Sequence, residues 1–265
     1  VDQTRGGTTM KMSTPVTGGP CWAELGTSDI AAAQSFYGTV FGWRMATDPR
    51  AEAGGYTMAR LGEAAVAALT PLYQKEQPTA WTVSFATNDT DATATAVTDA
   101  GGALLTGPMD VFEEGRFAVV ADPEGAVFSL WQGRSFAGAE LLDAPGALGW
   151  VELLTRDPAE ARRFYTAVFG WSVTVSEHYT QWGVGDQDFG GMLRMLDERF
   201  PPEMPAHWLP YFEVTDVDAT AHTASGAGGG VLLEPTRMED GLRFAVLHDP
   251  QRAAFGVHTP PTAKG

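Results

Sequence analysis

The chain has 265 residues, 44% of them hydrophobic and 19% charged, with a formal net charge of −16 at neutral pH. That length fits two domains of ordinary size, while the acidic balance argues against a nucleic-acid surface and no apolar run approaches the roughly 20 residues of a membrane span. The single cysteine, Cys21, excludes an internal disulfide and suits a reducing cytoplasm.

Residues 1–19 are polar, rich in Gly and Thr, and unpatterned, which predicts a flexible tail. They lack the apolar core of a signal peptide. Cys21 to Leu25 reads as a short strand with Trp22 and Glu24 on one face. Asp29 then opens a helix whose buried stripe is Ile30, Ala33, Phe36, Tyr37, Val40 and Phe41, and Gly42 stops it. A second strand beginning at Trp81 leads to a helix from Asp89 to Gly102. Short strands follow at Ala103–Leu105, Arg116–Ala121 and Ala126–Trp131, with Asp122–Gly125 as a tight turn. Residues 133–147 read as a linker, and the pattern then returns. The second round has helices from Asp157 to Gly170 and from Asp216 to Gly229, with late strands at Val231–Leu233, Leu242–Leu247 and Ala254–His258. Residues 260–265 form a short C-terminal tail.

The return is a true duplication. Trp22 to Trp43 and Trp150 to Trp171 share 13 of 22 positions at an offset of 128, and Trp81 to Trp131 shares 20 of 51 with Trp208 to His258 at 127. A period this long means duplicated domains and not a solenoid. Each half is itself doubled, because all four helices run from an Asp to a Gly 13 residues later. The expected fold is therefore α+β, with four tandem βαβββ modules in two domains, residues 20–132 and 148–259. Which modules pair is left open by the sequence.

The residues T-x-D with A-x-x-FY-x-x-VFGW in both halves, and the later R-F-A-V with D-P, resemble the vicinal oxygen chelate superfamily. That superfamily includes glyoxalase I, bleomycin-resistance proteins and extradiol dioxygenases, and this chain is similar to its two-domain, hydroxylase-named glyoxalase-like members. The resemblance implies a cup-shaped mixed sheet enclosing a pocket in each half. It also implies a divalent metal, held by His, Gln or Glu of a first strand and Glu of a last strand. Here the usual last-strand positions are Ser129 and Gly256, and the first half has no histidine. No metal is expected there. In the second half Glu152, His207 and His258 are the candidates for a two-His, one-carboxylate site.

The positions expected to face the cups are Trp22, Glu24, Thr82 and Ser84 in the first half, and Trp150, Glu152, Leu209 and Tyr211 in the second. A carboxyl in a Trp-lined cup has a raised pKa and can act as a general base, so Glu24 and Glu152 are the catalytic candidates and the other six the ligand-binding ones. The competing reading is a structural acid bound to a backbone amide or an arginine. The expected function is binding of a small aromatic or quinone-like molecule, for sequestration or as an accessory in small-molecule metabolism, without a cofactor, by a monomer or homodimer. The alternative is a metal-dependent lyase or isomerase, or a hydroxylase or dioxygenase, using the second domain. No nucleic-acid or membrane partner is expected.

Overall fold

The structure, a computed structural model, describes residues 15–74, 77–177, 179–239 and 241–260. His178, residues 1–14 of the expected N-terminal tail and residues 261–265 of the C-terminal one therefore lie outside the described residues. The first half runs β1 (Pro20–Thr27), α1 (Ile30–Phe41), β2 (Arg44–Thr47), β3 (Thr57–Leu61), β4 (Ala64–Pro71), β5 (Ala80–Ala86), α2 (Thr90–Asp99), β6 (Ala103–Val111), β7 (Gly115–Ala121) and β8 (Val127–Gly133). The second repeats it as β9 (Leu148–Thr155), α3 (Pro158–Phe169), β10 (Ser172–Val175), β11 (Thr180–Val184), β12 (Gln187–Arg194), β13 (His207–Glu213), α4 (Val217–Gly226), β14 (Gly230–Arg237), β15 (Arg243–His248) and β16 (Ala254–Thr259).

All four helices begin as their aspartates require, with the Asp29, Asp89, Asp157 and Asp216 side chains accepting backbone N–H groups of the first turn. Gly42 and Gly170 end α1 and α3 in the left-handed conformation. The other two expected stops are displaced. In α2 and α4 the left-handed residues are Gly101 and Gly228, one position earlier than expected. Gly102 and Gly229 serve close approach instead, since a Cβ there would lie 2.5 Å from the Ala121 carbonyl and 2.3 Å from the His248 carbonyl. Strands β6 and β14 also run several residues beyond the expected Leu105 and Leu233. Both contain a proline, Pro108 or Pro235, and both are edge strands, where a missing N–H is tolerated.

The modules pair within each half. The first sheet has the order β2-β3-β4-β1-β5-β8-β7-β6, and the second β10-β11-β12-β9-β13-β16-β15-β14. At the centre of each sheet the first strands of two modules run antiparallel, β1 with β5 and β9 with β13. Across the mouth of the first sheet, the two edge connections meet. The Arg50 guanidinium lies 4.1 Å over the Phe112 ring and its Nη2 is 3.1 Å from Glu114 Oε1.

The opposite faces of the sheets build one core shared by both halves. Phe212 of β13 lies 5.0 Å from Phe41, 5.4 Å from Trp43 and 5.1 Å from Trp81, measured between ring centroids. Symmetrically, Phe85 meets Phe169, Trp171 and Trp208. Buried polar contacts repeat the exchange. Trp81 Nε1 donates to Tyr37 Oη (3.0 Å), whose hydroxyl donates to Asp249 (3.2 Å), and Trp208, Tyr165 and Asp122 form the same chain at 2.9 and 3.1 Å. Trp81 and Trp208 thus belong to the core and not to a pocket wall. Trp43 Nε1 donates to the Gly146 carbonyl, and Trp171 Nε1 to that of Gly18, both at 2.7 Å. Gly18 and Gly19 also exchange hydrogen bonds with Ala86, so the end of the expected flexible tail is held in place.

The segment read as a linker is packed as well. The Ala139 amide donates to the Cys21 carbonyl and the Glu140 amide to that of Ala65, bridging the starts of β1 and β4. Cys21 is fully buried beneath it, and burial pushes its thiol pKa up. The native protein is expected to resist an aromatic disulfide reagent such as DTNB and to react only on unfolding. Stoichiometric labelling within minutes under native conditions would contradict this packing.

Candidate functional site

The register across the central strand pairs sets the cup floors. Trp22 stands opposite Ser84 and Glu24 opposite Thr82, while Trp150 stands opposite Tyr211 and Glu152 opposite Leu209. Side chains of directly opposed residues share one face of a sheet. The structure therefore gathers the eight expected residues into two equivalent groups of four.

In each group a residue not expected from the sequence joins the carboxyl. Trp22 Nε1 donates to Tyr56 Oη at 3.1 Å, and the Tyr56 hydroxyl hydrogen-bonds Glu24. Trp150 Nε1 likewise donates to Tyr179 Oη at 3.0 Å, and Tyr179 hydrogen-bonds Glu152. Because the indole N–H occupies the phenol oxygen as donor, the phenol proton is free to point at the carboxyl. Trp22 and Trp150 act here through their N–H edges, which orient a tyrosine. Trp22 is also walled by Phe136 of the linker, with ring centroids 5.0 Å apart.

Burial raises the Glu24 pKa to about 7, with the Tyr56 hydrogen bond working in the opposite direction. Glu152 is raised for the same reason, against hydrogen bonds from both Tyr179 and Tyr211. In turn, burial and the Glu24 charge raise Tyr56, so its phenol remains protonated and a donor. Among the described residues, the acid that the sequence left between catalytic and structural roles has no arginine or backbone amide as its partner in either cup. Its partners are phenols.

The cups differ beyond this shared set. In the second, the Tyr211 hydroxyl lies 3.1 Å from Glu152 Oε2, and its ring lies on Gly256, where a Cβ would be 2.0 Å from Tyr211 Cδ1. Tyr179 in the same way lies against Gly191, where a Cβ would be 2.1 Å from the phenol oxygen. In the first cup the corresponding residues are Ser84, Ser129 and Ala68.

These donors do not form a divalent-metal set. Around Glu24 the sheet offers Thr82, Ser84 and Ser129, and around Glu152 it offers Leu209, Tyr211 and Gly256. His207 pairs with Leu154 at one end of β13, whereas His258 pairs with Glu213 at the other. Six residues of strand put those ends roughly 20 Å apart, so Glu152, His207 and His258 do not converge. The His207 Nδ1 is 2.9 Å from the Pro205 carbonyl. His258 is buried beside Gly149, its Nε2 without a hydrogen-bond partner among the described residues, and burial lowers its pKa. Among the described residues no three His, Cys, Asp or Glu side chains are gathered as a metal would need.

The sequence profile of the Glyoxalase/Bleomycin resistance protein/Dioxygenase superfamily matches residues 20–130 and again 147–257. The chain belongs to this superfamily. Among its relatives, the Mycobacterium tuberculosis protein CFP32 is 39% identical over 252 residues, covering 92% of this chain and 95% of that one. The anthracycline biosynthesis protein DnrV of Streptomyces peucetius is 38% identical over 258 residues, covering 91% and 92%. Solved structures of the same fold include the Mn(II)-bound glyoxalase of Novosphingobium aromaticivorans, with a TM-score of 0.67 at 16% identity, covering 94% of this chain and 84% of that one. Another is the 2,3-dioxygenase LapB of Pseudomonas sp. KL28, with a TM-score of 0.67 at 13% identity and 94% coverage of both chains. At such identities these structures share the fold alone. No helix among the described residues is long and apolar enough to cross a membrane.

Proposed function

We propose that this superfamily member binds a small aromatic or quinone-like molecule in a cup, without requiring a metal, in a sequestering or accessory role in small-molecule metabolism. The observation that carries the reading is the carboxyl held by a Trp–Tyr pair on each cup floor, Glu24 by Trp22 and Tyr56, and Glu152 by Trp150 and Tyr179. Such a floor offers one polar acceptor among aromatic walls, which suits a flat ligand with a hydroxyl or carbonyl at its edge. The relation to a protein named for anthracycline biosynthesis supports it, anthracyclines being fused-ring quinones by chemical class.

Protein purified without chelator is expected to show saturable quenching of tryptophan fluorescence by naphthoquinones and hydroxyanthraquinones, unchanged by EDTA. The absence of saturable binding across such a panel would overturn the reading. Loss of binding on EDTA treatment, restored by a divalent cation, would overturn its metal-independent part. An enzymatic role is supported by the same geometry, because a carboxyl titrating near 7 can exchange a proton with a ligand at neutral pH. That reading expects Glu24→Gln to abolish solvent exchange of an acidic ligand proton while leaving affinity within a few-fold.

A further inference from the structure

Phe112, in the turn between β6 and β7, has φ +43, a left-handed conformation that a phenylalanine rarely adopts. It is also 42% exposed, so core burial does not offset the strain. What its ring meets is the Arg50 guanidinium, 4.1 Å away. Arg50 belongs to the β2–β3 connection, residues 48–56, at the opposite edge of the same sheet. Its Nε and Nη2 grip the Asp48 carboxylate at 3.0 and 2.5 Å, and Nη2 also reaches Glu114 Oε1 at 3.1 Å.

These contacts close on themselves. The Asp48 amide donates to the Tyr56 carbonyl at 2.9 Å, and the Tyr56 hydroxyl accepts the Trp22 indole N–H at 3.1 Å. The Trp22 ring meets Phe136, whose amide donates to the Glu114 carbonyl at 3.2 Å, and the Glu114 side chain returns to Arg50. The circuit runs around the mouth of the first cup and joins its floor, its tyrosine wall and its linker wall. The second cup keeps the Trp150–Tyr179 bond, but its sequence lacks the latch residues. At the repeat offset of 127, Phe112 and Glu114 become Glu239 and Gly241, and the β10–β11 connection, residues 176–179, contains no arginine. The floor tryptophans differ accordingly, Trp22 being buried and Trp150 half-buried.

We propose that Arg50 is an electrostatic latch that holds the first cup shut over Trp22, and that its release opens the Trp22–Tyr56–Glu24 floor while the second cup opens independently. The described arrangement is the closed one. The proposal supplies a control on access to the site argued above, and it rests on that reading for what would enter. Arg50 and Glu114 are both partly exposed, so salt weakens their pairing and leaves the core shared by the two halves intact. Opening is therefore local, a displacement of the two edge connections from one another.

The test is hydrogen exchange of the Trp22 and Trp150 indole N–H groups, followed by NMR on the whole protein without ligand. Trp150 makes the same bond in the unlatched cup and serves as the internal control. Arg50→Ala is expected to speed Trp22 exchange about tenfold and leave Trp150 within about twofold, the scale set by losing several exposed ionic and cation–π contacts at once. Glu114→Gln should act in the same direction. Raising NaCl to about 0.5 M should speed Trp22 exchange in the wild type and not in Arg50→Ala. Phe112→Gly separates a latch from a purely structural turn, because glycine relieves the strained φ while removing the ring. The latch predicts faster Trp22 exchange in that variant with no fall in the urea midpoint. Unchanged Trp22 exchange in Arg50→Ala, or equal acceleration of Trp22 and Trp150, overturns the proposal. Either result leaves the aromatic-binding role standing, since no ligand is used, and failure of the quinone panel overturns that role without touching the latch.

Discussion

Glu24→Gln is expected to stabilise the protein above pH 7 and to leave it unchanged near pH 4. Burial holds the Glu24 carboxyl at about 7 in the folded protein, whereas an exposed glutamate titrates near 4.5. Between those values the folded state keeps a proton that the unfolded chain has released, so stability falls as pH rises through that window. Below it both states are protonated and the site contributes no pH dependence. Above it the folded state carries a buried charge, and the full difference is of the order of 3 kcal/mol. Glutamine keeps the shape and still accepts the Tyr56 hydroxyl, but it never ionises. Tyr56 and Tyr73 are the titrating neighbours, and both are raised above their ordinary values, so neither changes charge in this range. The check is the difference in urea midpoints between wild type and variant from pH 4 to pH 8. Parallel profiles would show that Glu24 is not held neutral by burial.

Phe212→Ala is expected to destabilise the whole chain by about 3–5 kcal/mol, as truncation of a fully buried phenylalanine does. Phe212 belongs to the second sheet, yet three of its ring neighbours, Phe41, Trp43 and Trp81, come from the first half, beside Phe255 of its own. Tyr37 reaches across to Asp249, and Tyr165 to Asp122. With so much of each core supplied by the other half, wild type and variant alike should unfold in one transition, coincident by circular dichroism and tryptophan fluorescence. Residues 148–259 produced alone should not fold, because Tyr165 would lose Asp122, Trp171 would lose Phe85 and the Gly18 carbonyl, and Phe212 would lose Phe41, Trp43 and Trp81. Two resolved transitions in the intact chain, with only the later shifted by Phe212→Ala, would show instead that the halves are independent.

The candidate site was legible in proportion to how local its signals are. Trp22 with Glu24 and Trp150 with Glu152 stand two apart on strands that precede a capped helix, so alternation alone puts each pair on one face. Their opposites on β5 and β13 follow from the same alternation, counted back from Asp89 and Asp216. Tyr56 and Tyr179 escaped because the duplication changes its offset between them. The β2–β3 connection carries Asp48 to Tyr56, whereas the β10–β11 connection ends at Tyr179 four residues after Val175. The repeat spacing thus falls from 128 at Trp43 to 123 at Tyr56 and returns to 127 at Trp81. The Tyr-Thr pair at 56–57 and 179–180 was the available signal, concealed by that gap. The metal candidates erred for the opposite reason. His207 and His258 have suitable strand parity, but parity fixes a face and not a distance along the strand.

Periodicity, capping residues and internal repetition, all read from the sequence by itself, determined four modules of one strand, one helix and three strands, in two halves. These are short-range consequences of helix and strand geometry, encoded within about a dozen residues of one another. Only the tertiary structure decided that modules pair within a half while the cores interlock between halves. It alone also decided that a tyrosine from an edge connection reaches each central carboxyl, and that Tyr211 adds a second phenol to Glu152. Those outcomes depend on the curvature of an eight-stranded sheet and on which side chains then meet across it, and no spacing along the chain records either.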